Sequence, residues 1–221
     1  MSLRGRFITL EGIEGAGKSS VAQALQTMLA AAHCRSLATR EPGGTPLAER
    51  LRQWVLTCGE ERVSAEVETL LMFAARGLHL DNLVRPALAR GEWVICDRFT
   101  DATRAYQGGG RGIDGALIEA LAQGVHGDLV PDLTLILDLP VALGLERARA
   151  RRAAAGETVV DRFEGETLQF FERVRARYLH IARDEPTRCR VLDASLPLQA
   201  VCAAAEAALR PLLARPQDAG V

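Results

Sequence analysis

The sequence predicts an α/β protein in which a parallel sheet is covered by helices, and three observations carry that prediction. Five short apolar runs alternate with segments of helical period, the pattern of strands joined by helical crossovers. The third run, Glu92 to Cys96, is apolar over 93–96 without a break, which implies a strand buried on both faces. Between the first strand and the first helix lies Gly12-Ile13-Glu14-Gly15-Ala16-Gly17-Lys18-Ser19, which fits G-x-x-x-x-G-K-[ST], a phosphate-binding loop in the context that confirms it.

Residues 7–11 read as the first strand, and the segment from Ser19 carries apolar residues at 21, 25, 28 and 29, a helical spacing. Residues 35–39 form the second strand, ending in the turn-rich Arg40-Glu41-Pro42-Gly43-Gly44-Thr45-Pro46. Residues 47–57 and a long run from about 65 to 88 are helical. The third strand ends at Asp97-Arg98, the fourth covers 133–139 and the fifth 190–193, with further helices at about 114–124, 141–153, 163–184 and 197–213. Ligands of such sheets gather beyond the carboxyl ends of the strands. The loop 12–19, the turn 40–45 and Asp97-Arg98 all fall at those ends.

A chain of 221 residues is long enough for one substantial domain, taken here as 1–214, with 215–221 as a frayed tail. The net charge of −1 gives no basic excess to hold a nucleic-acid backbone, so a small anion met by local arginines fits better. Cysteines 34, 58, 96, 189 and 202 show neither C-x-x-C spacing nor dense pairing, which suits a reducing compartment and small buried side chains. No stretch is long enough in apolar residues to span a bilayer, so a soluble cytoplasmic protein is expected. Of 27 basic residues only Lys18 is lysine, and it falls where a compact ammonium must reach between β- and γ-phosphates.

The loop Gly12 to Ser20 offers backbone N–H groups and a helix N-terminus to one anion, Lys18 adds charge, and the Ser19 hydroxyl can ligate Mg²⁺. Asp97, at the end of an apolar strand, suits the acid that holds the metal beside Ser19, or else caps the following helix. Arg98 either grips a phosphate or pairs with a neighbouring surface acid. Phe73 and Arg76 lie three apart and share a helix face; they could stack on and hydrogen-bond a base, or Phe73 could be ordinary core. Residues 103–112, with Thr103, Tyr106, Gln107 and a glycine run, read as a flexible loop of polar readers or as a plain loop. Arg147, Arg149, Arg151 and Arg152 form either a solvated helix face or part of a lid, about 147–163, over a transferring phosphate.

Taken together, Gly12 to Ser19, Thr39 to Thr45, Leu71-Met72-Phe73-Ala74-Ala75-Arg76, Asp97-Arg98-Phe99 and Ala105 to Gly112 closely resemble thymidylate kinase, over about residues 6–195. The resemblance implies a P-loop three-layer fold of strand order 2-3-1-4-5, usually a homodimer, transferring the γ-phosphoryl group of ATP to dTMP with Mg²⁺. It implies that Phe73 stacks on thymine, that Arg76 and Gln107 bond its edge near Thr103, and that Arg40 and Arg98 grip the dTMP phosphate. Tyr106 would pack under the deoxyribose and Glu14 would meet the 3′-hydroxyl. Gly15 stands where one branch of the family carries a loop arginine, so catalytic arginines would come from the lid, as in the bacterial branch: Arg151 first, with Arg147 and Arg149. Lys18, Arg98 and Asp97 complete the implied catalytic set. Two departures stand out. Many members have four positions between the stacking Phe and the Arg, which leaves Met72 as a second candidate for the base; and residues 152–160 lengthen the lid.

Overall fold

The strand Phe7–Glu11 (β1) is buried along its whole length and forms the middle of a five-stranded sheet. The computed structural model describes residues 4–57, 62–156 and 162–214. Ser36–Arg40 (β2), Trp93–Asp97 (β3), Leu133–Asp138 (β4) and Cys189–Asp193 (β5) complete the sheet in the order β2-β3-β1-β4-β5. Every pairing is parallel. The expected class and strand order are therefore the observed ones, with strand ends shifted by a residue or so. The expected tail 215–221 lies outside the described residues.

Side chains alternate across a strand, so β1 and β3 each serve two cores. Ile8, Leu10, Trp93 and Ile95 pack with Val21, Leu25 and Leu29 of the helix Lys18–Ala31 (α1) and with Val201, Ala205 and Leu209 of Leu198–Leu213. Phe7, Val94 and Cys96 point the other way, against Leu80, Val84, Ala87 and Leu88. This two-sided burial makes the central strands apolar at nearly every position.

The remaining helices are Pro46–Leu56 (α2), Ala65–His79 (α3), Arg85–Ala89 (α4), Thr100–Thr103 (α5), Gly115–Val125 (α6), Val141–Ala155 (α7), Leu168–Asp184 (α8) and the 198–213 helix already named (α9). Three of the sequence expectations need correction here. The long run at 65–88 is not one regular helix: Leu80–Val84 is a π-helical turn between α3 and α4. Pro86 supplies the reason, because its ring displaces the carbonyl four residues back and it has no N–H to donate. Residues 104–110 are not a flexible loop but a π-helical segment continuing α5. Its glycines allow close packing on α8, since a Cβ on Gly109 would crowd Arg177 and the Arg173 carbonyl, and one on Gly110 the Phe170 ring. Finally, α8 begins at Leu168, where the Thr167 side chain accepts from the Phe170 N–H, and residues 162–165 form a separate 3₁₀ turn.

Parallel register brings the chemistry to one rim. Arg40 lies beside Asp97, and Asp97 beside Leu10, so the loops after β1, β2 and β3 leave the sheet together. The loop after β1 packs on α7. Gly15 has φ +74°, and a Cβ there would overlap the Gly144 carbonyl. A side chain at 15 therefore has no room, which accounts structurally for the absence of a loop arginine. Gly156 also has a positive φ, +66°, yet none of the described residues lies within 4 Å of its would-be Cβ. Gly156→Ala is expected to cost only the left-handed backbone preference, about 1 kcal/mol, whereas Gly15→Ala should cost at least twice that, about 4 °C or more in Tm. Equal falls in thermal melting would show that backbone conformation alone, not the contact with α7, fixes glycine at 15.

Candidate active site

The rim opens into a cleft of about 700 Å³ whose floor is the loop 14–20. Lys18 Nζ donates to the carbonyls of Gly12 and Ile13 at 3.1 and 3.0 Å, which curls the loop around its own ammonium. Glu14, Gly15, Ala16, Gly17, Lys18, Ser19 and Ser20 face the cleft, while Gly12 and Ile13 contribute carbonyls from below. Burial, together with the nearby Arg98 charge, lowers the Lys18 pKa from its ordinary value. Asp97 Oδ1 stands 4.0 Å from Lys18 Nζ, is buried, and has no hydrogen-bond partner among the described residues. Asp97 does not cap α5, whose N-cap position is Phe99. This carboxylate oxygen lines the same cleft as Ser19, and a carboxylate and a hydroxyl are oxygen donors that a hard divalent cation takes, so the residues present fit Mg²⁺.

Arg98 lies at the centre of the cleft with φ +75°, a left-handed backbone that costs an arginine about 1–2 kcal/mol. Its surroundings over-determine it. Nη2 donates to Glu14 Oε1 at 2.8 Å and to the Tyr106 hydroxyl at 3.0 Å, Nη1 donates to the Tyr178 hydroxyl at 3.3 Å, and the guanidinium carbon sits 4.6 Å from the Tyr106 ring centre. Tyr106 in turn donates to both Glu14 oxygens at 2.9 Å. Behind this cluster Glu11 is wholly buried and accepts from the Phe99 N–H at 2.7 Å and from Tyr178 at 2.8 Å. Burial, with Asp101 adding its charge, raises the Glu11 pKa to about 8 against the opposing pull of Arg98. Thus the residue following β3 is locked by side chains from the P-loop, from the π-helical segment and from α8.

At the other end of the cleft, Arg76 is 3% exposed, and Nε and Nη2 have assigned acceptors. Nε donates to Glu41 Oε2 at 2.7 Å, and Nη2 to the Phe99 carbonyl at 3.1 Å and Thr103 Oγ1 at 3.0 Å. Nη1 is buried without a hydrogen-bond partner among the described residues. Glu41 is held by His79 as well, Nδ1 to Oε1 at 2.9 Å, and His79 Nε2 meets Thr39 Oγ1 at 2.8 Å. Burial on its own would raise the Glu41 carboxyl, but Arg76 and His79 outweigh it and hold it below the ordinary value. Gln107 Nε2 donates to Glu68 Oε1 at 2.8 Å. Arg40, exposed, pairs with Glu49 at 3.0 Å and still faces the cleft.

Thr103, Tyr106, Gln107, Arg40, Arg76 and Arg98 therefore line one cleft, and Arg147 and Arg151 join them from α7. Two of the expected residues lie off the cleft. Phe73 is buried against Ile118 and Ala122, away from the cleft, while Met72 lines it. Met72, four residues before Arg76, lines the cleft with it, whereas the Phe73 ring packs behind the Arg76 guanidinium, whose carbon lies 4.7 Å from the ring centre, and against α6. Arg149 is exposed and off the cleft, because it lies two positions from both Arg147 and Arg151 and so points to the opposite side of α7. Arg147 is itself tied down, donating to the Ala194 and Ser195 carbonyls at 2.7 and 3.3 Å. Of the expected lid 147–163, residues 157–161 lie outside the described residues.

Sequence reasoning missed Glu11, Glu41, Glu68, His79, Phe163 and Tyr178. A signal existed for three of them. Glu68, Met72, Arg76 and His79 recur at helical spacing along α3, a polar stripe in an otherwise apolar helix. Glu11, a lone acid ending an apolar strand, was a weaker sign; Phe163 and Tyr178 come from sequence too distant to suggest any link.

A thymidylate kinase family model matches residues 10–205. The chain belongs to the thymidylate kinase family. It is 55% identical over 211 residues to the thymidylate kinase of Pseudomonas syringae pv. syringae strain B728a, covering 96% of this chain and 98% of that one. It is 51% identical over 215 residues to the thymidylate kinase of Bordetella pertussis strain Tohama I, covering 97% and 99%. The crystal structure of thymidylate kinase from Ehrlichia chaffeensis superposes with a TM-score of 0.75 at 32% identity, covering 94% of this chain and 99% of that one. Thymidylate kinases are ATP-dependent phosphotransferases that convert dTMP to dTDP, and the expected class of nucleotide-binding transferase is met.

Glu11 carries a pH signature. Its folded pKa lies above the ordinary carboxylate value, near 8, so between about 4.5 and 8 the folded chain holds a proton that the unfolded chain releases. Stability from this group is full below that window and is lost as pH rises through it. Urea unfolding at pH 5 and pH 8 should show a decline that shrinks in Glu11→Gln; an unchanged decline would mean Glu11 is ionised in the folded protein at both pH values.

Proposed function

We propose that this chain phosphorylates dTMP with ATP in the cleft between Lys18 and Arg76, and that one observation carries the residue assignment: two phosphate-competent cations, Lys18 and Arg98, share a cleft with the donor Arg76 and the amide Gln107. The ATP β- and γ-phosphates would lie along the N–H groups of 13–20 and on Lys18. Ser19 and Asp97 would hold Mg²⁺, directly or through water, and the ion supplies charge neutralisation for the nucleotide phosphates when bound. Arg40 and Arg98 would hold the dTMP phosphate, Arg98 exchanging its Glu14 pairing for it. The Glu14 carboxylate is then free for the sugar 3′-hydroxyl, with Tyr106 against the deoxyribose. Met72, rather than Phe73, would lie against the thymine ring, with Arg76, Gln107 and Thr103 at its edge.

The attacking atom is a phosphate oxygen, already ionised at pH 7, so no general base is required of the protein. Positioning and charge stabilisation then carry the rate. Arg151 on α7 would bring its guanidinium to the transferring group, with Arg147 anchoring the end of the helix to the loop after β5. These assignments treat the chain as a single kinase domain with residues 147–163 as its lid.

The partners proposed are ATP, dTMP and a second copy of the chain. Exposed Trp54 on α2 and Val67 and Leu70 on α3 support a dimer through those adjoining helices. A net charge of −1 argues against nucleic acid as a partner. No helix among the described residues is long and apolar enough to cross a membrane. Free cysteines at 34, 96, 189 and 202 support a reducing, cytoplasmic setting. Oligomer mass in solution checks the dimer.

ADP release from ATP and Mg²⁺ should depend on added dTMP, and Lys18→Ala should lower kcat by roughly 10²-fold or more with the fold intact. Normal turnover by folded Lys18→Ala would overturn the assignment of the donor site, and turnover on another acceptor alone would overturn that of the base end.

A further inference from the structure

The amide of Gln107 is not free to choose which end it turns to the cleft. Its Nε2 donates to Glu68 Oε1 at 2.8 Å, and Glu68 has no exposed surface at all. A carboxylate only accepts, so the NH₂ must face it and the carbonyl oxygen must face away. Two guanidinium groups lie against the Glu68 side chain as counter-charges: Arg111 at 3.4 Å and Arg162 at 3.3 Å. Arg111 is fixed in turn by Glu166 and by the rings of Phe163 and Phe170, and Arg162 donates to the Val63 carbonyl at 3.0 Å. The polarity of Gln107 is thus imposed from α3 and from both flanks of the 3₁₀ turn.

We propose that Glu68 is the positioning residue that sets base preference, by presenting the Gln107 amide oxygen, an acceptor, next to Arg76, a donor. The inference rests on the base-end assignment given above. Arg76 has Nε and Nη2 committed and Nη1 left without a partner, so it offers N–H alone. A donor beside an acceptor fits the edge of a 4-oxo pyrimidine with N3–H, as in thymine or uracil. Cytosine presents the reverse, an amino donor and a bare ring nitrogen, and would leave buried groups facing like groups. In Glu68→Gln the Gln107 amide can turn either way, because the replacement side chain donates as well as accepts.

The test is kcat/KM of Glu68→Gln for dTMP, dUMP and dCMP against the parent enzyme. The dCMP to dTMP ratio should rise roughly tenfold or more, while the dUMP to dTMP ratio stays within about twofold, since dUMP has the same edge as dTMP. A purely structural Glu68 would lower all three together with both ratios unmoved, which would overturn the proposal. If Glu68→Gln does not fold, Glu68→Asp keeps the charge opposite Arg111 and Arg162 while drawing back from the amide. The same ratio is then read, and an unchanged ratio again overturns it. A parent enzyme that releases no ADP with dTMP would instead defeat the functional assignment itself, so the two failures are distinguishable.

Discussion

The cleft is organised around the pairing of Arg98 with Glu14. Arg98 leaves the sheet from β3 in a left-handed conformation, and Glu14 sits in the loop that leaves β1. Their contact therefore fixes two adjacent strand ends to each other. Tyr106 and Tyr178 close the cluster, bringing in the π-helical segment and α8. Without it, a mostly enclosed guanidinium would lack its counter-charge and the strained backbone would lose what holds it.

A repeated device appears around it: several arginines have an acid that orients them. Glu14 and Glu41 hold Arg98 and Arg76, Glu49 holds Arg40, and Asp138 takes Arg175 in a two-pronged pair at 2.7 and 2.9 Å. Arginine suits this arrangement because a planar fork can be gripped from one side while offering N–H groups from the other. Lys18 is instead braced by carbonyls, since a flexible ammonium must follow phosphates rather than present a fixed plane. The preorganisation is electrostatic, and its cost is met by the rigid sheet beneath.

The P-loop and the parallel sheet were legible because a glycine pattern and alternating apolar runs are local properties of the chain, whereas the strand order was legible only through the motif resemblance. The convergence of Arg40, Arg98, Thr103, Tyr106 and Gln107 was legible through the motif resemblance. The acids that orient these groups were not, with the exception of the helical stripe from Glu68 to His79. Glu68 meets Gln107 across 39 positions and Tyr178 meets Glu11 across 167. No period or spacing encodes such contacts.

By itself, then, the sequence determined the parallel sheet, the phosphate loop and the rim where ligands collect, because periodicity and turn chemistry act over a few residues. Tertiary structure decided which residues of α3 and α7 face the cleft, replacing Phe73 by Met72 and removing Arg149, and it decided the helical form of 104–110. It also decided the direction of the Gln107 amide. Those outcomes depend on helix phase and on partners from distant segments, and both are fixed only when the helices pack on the sheet.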